Sequence, residues 1–180
     1  LLEEAPVVEE ITNGKNISYE NLEVKDLSFS YNASEPVLRN ICMQAKKGEI
    51  VGIVGESGCG KSTLLKLLLR FWKKDSGEIN YNNIDIEQIN SSNLLDNVTM
   101  VSQVTYLFDD TIEENLRIAK PDATQSELEE ACKLASVHDF ITTLPQGFQT
   151  RVGALGDNLS AGEKQRIGLA RAFLSGRELI

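Results

Sequence analysis

The sequence has little of several residue types on which common classes of function depend. It contains one histidine, His138, and three scattered cysteines, Cys42, Cys59 and Cys132. A single histidine leaves little material for a histidine-based metal site or a Ser-His-Asp triad. Three cysteines without metal-ligand spacing argue against a closed disulfide framework. We therefore interpret the cysteines as reduced thiols of a cytosolic chain.

Basic residues and long apolar runs are also scarce. Lysine and arginine number 18 against 27 acidic residues, and the resulting net charge of −9 argues against a nucleic-acid partner. No apolar run approaches the roughly 18 residues that a membrane span requires. The 180 residues are 41% hydrophobic, which indicates one globular domain with a substantial core.

The first twenty residues are acidic and polar, with Pro6 and an Asn13-Gly14 turn signal. This composition predicts an acidic linker over residues 1–20 and a folded domain over residues 21–180. Two interpretations of the linker remain open, a disordered terminus and a tether from an upstream transmembrane domain.

The clearest motif is the glycine-rich run GESGCGKST, which fits the phosphate-loop pattern G-x-x-x-x-G-K-[ST]. Its members are Gly55, Glu56, Ser57, Gly58, Cys59, Gly60, Lys61, Ser62 and Thr63. The apolar run before it, residues 49–54, predicts a buried strand. The leucine-rich run after it, residues 64–72, predicts a buried helix. Strand, loop and helix are the setting in which a phosphate loop occurs, although a glycine-rich turn before a core helix would show the same local pattern.

The residue types of this loop suit a bound triphosphate. Glycines permit backbone angles that side chains forbid and allow the chain to approach a phosphate closely. The loop amides and the helix N-terminus direct partial positive charge at the anion. Lys61 would reach the β- and γ-phosphates, and the Ser62 hydroxyl would ligate Mg²⁺.

The remaining pattern predicts strands at the front and helices in the second half. The predicted strands are residues 22–31, 37–45, 78–81, 84–86, 98–101 and a start at 178–180. The predicted helices are residues 92–97, 111–116, one from a Ser126 capping box, 137–143 and one from Ser160 to a stop at Gly176. This order predicts an α/β fold, a P-loop NTPase with an antiparallel β patch and an inserted α-helical subdomain.

The run LSAGEKQRIGLARA, residues 159–172, resembles the LSGGQ signature helix of ATP-binding cassette (ABC) ATPases. Other segments match the same family in register. They are Tyr31 at the place of the A-loop aromatic, Gln103 at the Q-loop, LFDDTIEENL at residues 107–116 and LPQG at residues 144–147. The last two are similar to segments of exporter-type members. The resemblance covers roughly residues 21–180.

The resemblance implies a role for each matching residue. Tyr31 would stack on adenine, and Gln103 would approach Mg²⁺ and the attacking water. Ser160, helped by the Gly162 amide, would contact the γ-phosphate of ATP held by a second domain. Local alternatives remain open, because Tyr31 is also an ordinary strand aromatic and Gln103 an ordinary loop residue. Ser160 and Glu163 also form a capping box.

The sequence departs from the family pattern at several positions. Ala161 and Glu163 replace the usual Gly and Gln of the signature, and Ala154 replaces a Glu that exporters often carry. A carboxylate near a polyphosphate is repulsive, although it suits the helix dipole locally. The family's Walker B strand, with its Mg²⁺-binding Asp and general-base Glu, would follow residues 178–180. We therefore expect an incomplete domain that is inactive as a fragment.

The resemblance predicts the ATP-binding and hydrolysing domain of an ABC exporter, with ATP and Mg²⁺ as ligands, at the cytoplasmic face of the membrane. Its expected partners are a transmembrane domain and a second nucleotide-binding domain, dimerised head-to-tail. Two alternatives stay open, a soluble ABC ATPase that is not a transporter and a module that binds ATP without turnover.

Overall fold

The computed structural model describes residues 8–32 and 35–180, which divide into two compact units. The first unit contains the described residues up to Thr99 together with Leu179, and the second contains Met100–Glu178 together with Ile180. Residues 1–7 of the predicted linker lie outside the described residues. Each unit has its own cluster of buried apolar side chains.

The first unit is built on a four-stranded antiparallel sheet with the order β2-β1-β3-β4. The strands are β1 (Asn21–Asn32), β2 (Glu35–Lys46), β3 (Ser76–Tyr81) and β4 (Ile84–Asp85). Asn82 and Asn83 join β3 to β4 with positive φ angles of 52° and 62°, which asparagine tolerates better than most residues. The predicted antiparallel patch is confirmed.

Strand β1 changes its buried face halfway along its length. Leu22 and Val24 are buried at even positions, whereas Leu27 and Phe29 are buried at odd positions. The pairing of β1 with both neighbours shifts between these two halves, and Asp26 there has a φ of 47°. The irregularity inserts an extra residue, so both halves direct apolar side chains into one core.

The segment before β1 lies along the first unit's second helix, α2 (Ser91–Asn97). The Ile17 N–H donates to Asn93 Oδ1 at 2.6 Å, and the Tyr19 N–H donates to Asn97 Oδ1 at 3.0 Å. Lys15 forms an isolated parallel bridge with Ile89. Asparagine side chains on α2 therefore hold part of the segment that the sequence predicts as a linker.

The helix predicted over residues 64–72 is observed as α1 (Lys61–Leu68), which ends before Trp72. Leu69 is the C-cap, and Arg70 has a φ of 54°, in the left-handed region. The Arg70 guanidinium donates to the Ile86 and Ile89 carbonyls, each at 2.7 Å. These contacts with a distant part of the chain turn the backbone away from the helix axis.

Three of the predicted strands are wrong as strands in this structure. Residues 49–54 have no strand structure, and Ile50 and Val54 are 99% and 97% exposed. Residues 98–101 form only one bridge, from Val98 to Leu179, and the predicted strand at 178–180 is reduced to the same bridge. A strand needs a partner backbone, and no strand among the described residues pairs with residues 49–54.

The second unit is helical, as predicted. Its helices are α3 (Ile112–Arg117), α4 (Gln125–Leu134), α5 (His138–Thr143) and α6 (Ala161–Leu174). The capping box of α4 is formed by Thr124 and Glu127, instead of the predicted Ser126 and Glu129. The helix therefore starts at Gln125, one residue before Ser126. Lys120 pairs with Glu127 and favours this start. In the described part of the chain, no helix has the length and apolar character needed to cross a bilayer.

Candidate nucleotide site

The phosphate loop, residues 55–60, leads into helix α1 through a glycine that no other residue can replace without strain. Gly60 is the N-cap of α1 with a φ of 97°. A Cβ atom at this position would lie 2.7 Å from Leu38 Cδ2 and 3.2 Å from the Val37 carbonyl oxygen. The close packing against β2 and the left-handed backbone therefore both require glycine.

Lys61 lies folded over the loop. Its Nζ donates to the carbonyl oxygens of Gly55 at 2.8 Å and Glu56 at 2.7 Å, and it lies 3.6 Å from Cys59 Sγ. These contacts hold a full positive charge at the mouth of the loop. A phosphate that enters the loop would meet an ammonium group already in position.

The N-terminus of α1 is open to an anion. It has no side-chain cap hydrogen bond and no acidic residue in its first turn. Its N–H donors therefore keep the partial positive charge of the helix end for a ligand. Ser62 is exposed in this turn, whereas Thr63 is buried. The site thus fits a polyphosphate.

The described residues contain no group of three or more His, Cys, Asp or Glu side chains that could hold a metal ion by themselves. The Ser62 hydroxyl is the predicted ligand that α1 supplies. A magnesium ion that arrives with a nucleotide would take its remaining ligands from phosphate and water, which is the usual coordination of Mg²⁺.

Tyr31 lies beside helix α1, which follows the phosphate loop. Its hydroxyl is 3.1 Å from Thr63 Oγ1, with either oxygen able to donate. Its ring is 43% exposed and stands nearly perpendicular to the rings of Phe29 and Trp72. A strand aromatic and the phosphate loop are therefore brought together in the first unit.

The predicted signature opens helix α6 in the second unit. Ser160 is the N-cap, and its Oγ accepts from the Glu163 N–H at 3.3 Å. In return the Glu163 carboxylate accepts from the Ser160 N–H at 2.7 Å. The predicted capping box is confirmed, and the carboxylate is turned back toward the start of the helix.

Gly162 lies in the first turn of α6 with open space around it. A Cβ atom there would meet its nearest neighbour, Arg166 Nη1, at 3.6 Å, an ordinary contact distance. The residues before the helix are more constrained. Leu155 has a φ of 54°, and its carbonyl oxygen accepts from Lys164 Nζ at 2.9 Å. The side chain of Lys164 therefore ties the preceding loop to the helix.

A partly buried hydrogen-bond network, which the sequence reasoning missed, also holds α6. The Arg171 guanidinium donates to Asn115 O at 2.6 Å, Asn115 Oδ1 at 2.6 Å and Tyr106 O at 2.7 Å. Asn115 is fully buried and also bonds both backbone groups of Phe108. Burial lowers the pKa of Arg171. The signal was available, because Asn115 is the Asn of the exporter-like segment TIEEN.

Gln103 is exposed in an irregular stretch between Val98 and α3. The neighbouring Ser102 hydroxyl donates to the Val104 carbonyl at 2.6 Å. Gln103, Ser160 and Gly162 belong to the second unit, whereas Tyr31 and the phosphate loop belong to the first. The predicted roles of Gln103 in metal and water binding stay predictions.

Comparison with known proteins identifies the family of this chain. The ABC transporter family profile matches residues 38–180. A protein of Haemophilus influenzae named "Probable ABC transporter ATP-binding/permease protein" is 48% identical over 181 residues, which cover 100% of this chain and 33% of that protein. A Bacillus subtilis protein named "Putative multidrug export ATP-binding/permease protein YgaD" is 44% identical over 88% of this chain and 28% of its own length.

A solved structure, that of a bacterial Atm1-family ABC exporter with ATP bound, superimposes with a TM-score of 0.88 and 34% sequence identity. The match covers 95% of this chain and 30% of that chain. This chain thus spans about one third of the length of the curated relatives. The chain belongs to the ABC transporter family, in which it corresponds to a nucleotide-binding domain of the exporter type.

Proposed function

We propose that this chain binds MgATP as part of the nucleotide-binding domain of an ABC exporter, and that the complete domain hydrolyses it. The observation that carries the proposal is the open N-terminus of α1, with the Lys61 ammonium held 2.8 Å and 2.7 Å from two loop carbonyls. A triphosphate would accept hydrogen bonds from the loop amides and draw Lys61 toward its β- and γ-phosphates. Tyr31 would receive the adenine ring.

The remaining residues act on the same substrate. Ser62 would hold the magnesium ion, which neutralises charge on the phosphates when bound. Gln103 would orient the attacking water near that ion. Ser160 and the Gly162 amide would contact the γ-phosphate of an ATP held by a second domain, since a helix N-terminus suits an anion.

ATP shared in this way requires two nucleotide-binding domains that face each other head-to-tail. Binding would close this pair and hydrolysis would reopen it, driving transport through a transmembrane domain. The curated relatives support such a partner, because their names combine ATP-binding and permease parts. The site would then work at the cytoplasmic face of a membrane. These names favour a transporter over a soluble ABC ATPase.

A second candidate, ATP binding without turnover, is favoured by one observation. The Glu163 carboxylate occupies the Ser160 N–H, so the signature end of α6 carries a negative charge and one donor fewer. Both features weaken the attraction for a γ-phosphate. The complete protein would then bind MgATP and show no hydrolysis.

The experiment is steady-state ATP hydrolysis by the full-length protein in lipid nanodiscs. Lys61→Ala removes the ammonium at the phosphates and should lower turnover by about a hundredfold or more, the loss typical of a key electrostatic contact. Lys66→Ala, in the last turn of the same helix, is the matched control and should stay within about twofold of wild type. Wild-type turnover in Lys61→Ala would exclude the proposed site. Binding without hydrolysis in the wild type would select the second candidate.

A further inference from the structure

Three aromatic rings form a cluster beside the phosphate loop. The Tyr31 ring lies 4.9 Å from Phe29 and 5.1 Å from Trp72, between ring centroids, and both interplanar angles are 86°. Phe29 and Trp72 are 6.1 Å apart. Perpendicular rings at these distances are favourable aromatic pairs. Tyr31 is therefore in contact with two rings at once.

Trp72 reaches this cluster because α1 ends early. The left-handed turn at Arg70 is fixed by two hydrogen bonds of its guanidinium to the Ile86 and Ile89 carbonyls. The chain then leaves the helix axis, and Trp72 packs partly buried against the first unit's core. If α1 continued to residue 72, the helical period would set the direction of the Trp72 side chain instead.

Tyr31 is held at both ends of its side chain. Its hydroxyl is bonded to Thr63 in the first turn of α1, and its ring is flanked by Phe29 and Trp72. Phe29 is buried, but Trp72 comes from a loop and is the only tryptophan of the chain. The Trp72 indole is therefore the second ring that restrains Tyr31, a residue that remains 43% exposed.

We propose that Trp72 is a positioning residue for the nucleotide base, which holds the Tyr31 ring in its base-stacking orientation before ATP arrives. This inference rests on the proposed function, because it requires that Tyr31 stack on adenine. A preorganised ring avoids the entropy cost of being ordered on binding. Loss of Trp72 should therefore weaken only the part of the affinity that comes from the base.

The test compares a ligand with a base and a ligand without one. Binding of Mg-AMP-PNP, an ATP analogue that is not hydrolysed, and of Mg-tripolyphosphate is measured by calorimetry on the full-length protein. Tripolyphosphate reports the phosphate loop alone. The variants are Trp72→Leu, which keeps an apolar side chain, Trp72→Phe, which keeps a ring, and Phe71→Leu as the matched control. Tyr31→Leu reports the base contribution itself.

We expect Trp72→Leu to weaken AMP-PNP binding about fivefold, the size of one aromatic pair, and to leave tripolyphosphate binding unchanged. Trp72→Phe and Phe71→Leu should stay within about twofold of wild type for both ligands. Tyr31→Leu should weaken AMP-PNP binding about tenfold or more, as the loss of base stacking predicts.

Three results for the Trp72 variants would overturn the inference. In the first, Trp72→Leu weakens both ligands equally, which indicates a general disturbance of the loop. In the second, Trp72→Leu weakens neither while Tyr31→Leu weakens AMP-PNP, so that the proposed adenine platform stands without Trp72. In the third, Trp72→Phe is as weak as Trp72→Leu. An unaffected Tyr31→Leu would instead remove the adenine platform itself, and this inference with it.

Discussion

The phosphate loop of the first unit and the signature of the second both lie at a helix N-terminus, yet the two helix ends are built in opposite ways. Helix α1 begins at a glycine and has no side-chain cap, whereas α6 begins with a reciprocal Ser160–Glu163 capping box. The first leaves its donors for a ligand, and the second uses part of them internally. The N-terminus of α1 therefore keeps more free donors for an anion than the N-terminus of α6 does.

Neighbouring residues also enclose the two motifs to different degrees. Among the described residues, no strand pairs with the stretch before the phosphate loop, and Ile50 is 99% exposed. Helix α6 instead buries Ile167 and Ala170 completely and is held through Arg171 by the buried Asn115. The two motifs thus differ in how much of their geometry neighbouring residues fix.

The largest expected contrast between an open loop and a closed core lies in thiol chemistry. Cys59 is exposed in the phosphate loop, whereas Cys132 is buried on α4. Burial raises the pKa of Cys132 to about 12, so its reactive thiolate at pH 8 is only about 1 part in 10,000. N-ethylmaleimide should therefore modify Cys59 at least about a thousandfold faster, as site-resolved mass spectrometry of the full-length protein would measure.

Nucleotide sharpens this contrast. MgATP should protect Cys59, since the thiol would lie beside the phosphates of a bound nucleotide, and complete alkylation of Cys59 should block nucleotide binding. The exposed Cys42 in β2 is the control, and MgATP should not protect it. Equal modification rates at Cys59 and Cys132 would contradict the difference in burial between the two thiols. Unchanged ATP affinity after complete modification of Cys59 would contradict its predicted place at the nucleotide.

Substitution by alanine should change the free energy of unfolding in opposite directions at the glycines of the two motifs. Gly60→Ala forces a Cβ to within 2.7 Å of Leu38 at a φ of 97°, which should lower the free energy of unfolding by about 2 kcal/mol. Gly162→Ala enters an ordinary helical position and should raise it by about 0.5 kcal/mol, because alanine favours helices. Urea denaturation of both variants measures the difference. A stabilised Gly60→Ala would show that the loop does not have this backbone.

The serines of the two motifs separate capping from ligand binding. Ser160→Ala removes the N-cap bond of α6 and should cost about 1 kcal/mol of unfolding free energy. Ser62→Ala removes no cap, so its stability should stay within about 0.5 kcal/mol of wild type, while MgATP binding falls. Ser160→Asn is the control, because asparagine retains the cap. If Ser160→Asn restores stability but not ATP turnover, Ser160 acts on the nucleotide as well as on the helix.

The sequence predicted those elements that local rules decide. Thr111 caps α3 and Ser160 caps α6 as their side chains indicate, and Gly176 follows the end of α6 with a φ of 66°. These features depend on residues within one helical turn. The alternation in β1 likewise predicted a half-buried strand, although the irregularity at Asp26 was not visible in it.

The features that the sequence could not predict depend on distant partners. Residues 49–54 have the composition of a buried strand, but a strand forms only beside another backbone. The end of α1 depends on carbonyls at residues 86 and 89, and the Trp72 contact with Tyr31 depends on that end. The same holds for Arg171, whose partners lie 56 and 65 residues away in the chain.

The smallest expected effect comes from the charge of Glu163, which lies in the first turn of α6, whereas the first turn of α1 has no acidic residue. Glu163→Gln keeps an oxygen for the Ser160 N–H but removes the negative charge. The helix should lose about 0.5 kcal/mol of stability, the size of one dipole contact. ATP turnover of the full-length protein should rise about twofold, since the repulsion between a surface carboxylate and phosphate is largely screened. Lower turnover would show that the carboxylate itself assists the site.

Helix α4 supplies the matched control, because Glu127 forms the same box with Thr124 but lies outside the nucleotide motifs. Hydrogen bonds from Lys120, and then from Thr124, lower the pKa of Glu127 from 4.5 to about 2. A carboxylate with a lowered pKa stabilises the fold above its unfolded value, and this stability is lost as the pH falls from about 4.5 to 2. Glu127→Gln should remove that acid dependence and leave ATP turnover unchanged. If both variants altered turnover equally, Glu163 would act through helix stability alone, and the electrostatic difference between the two helix ends would have no part in nucleotide binding.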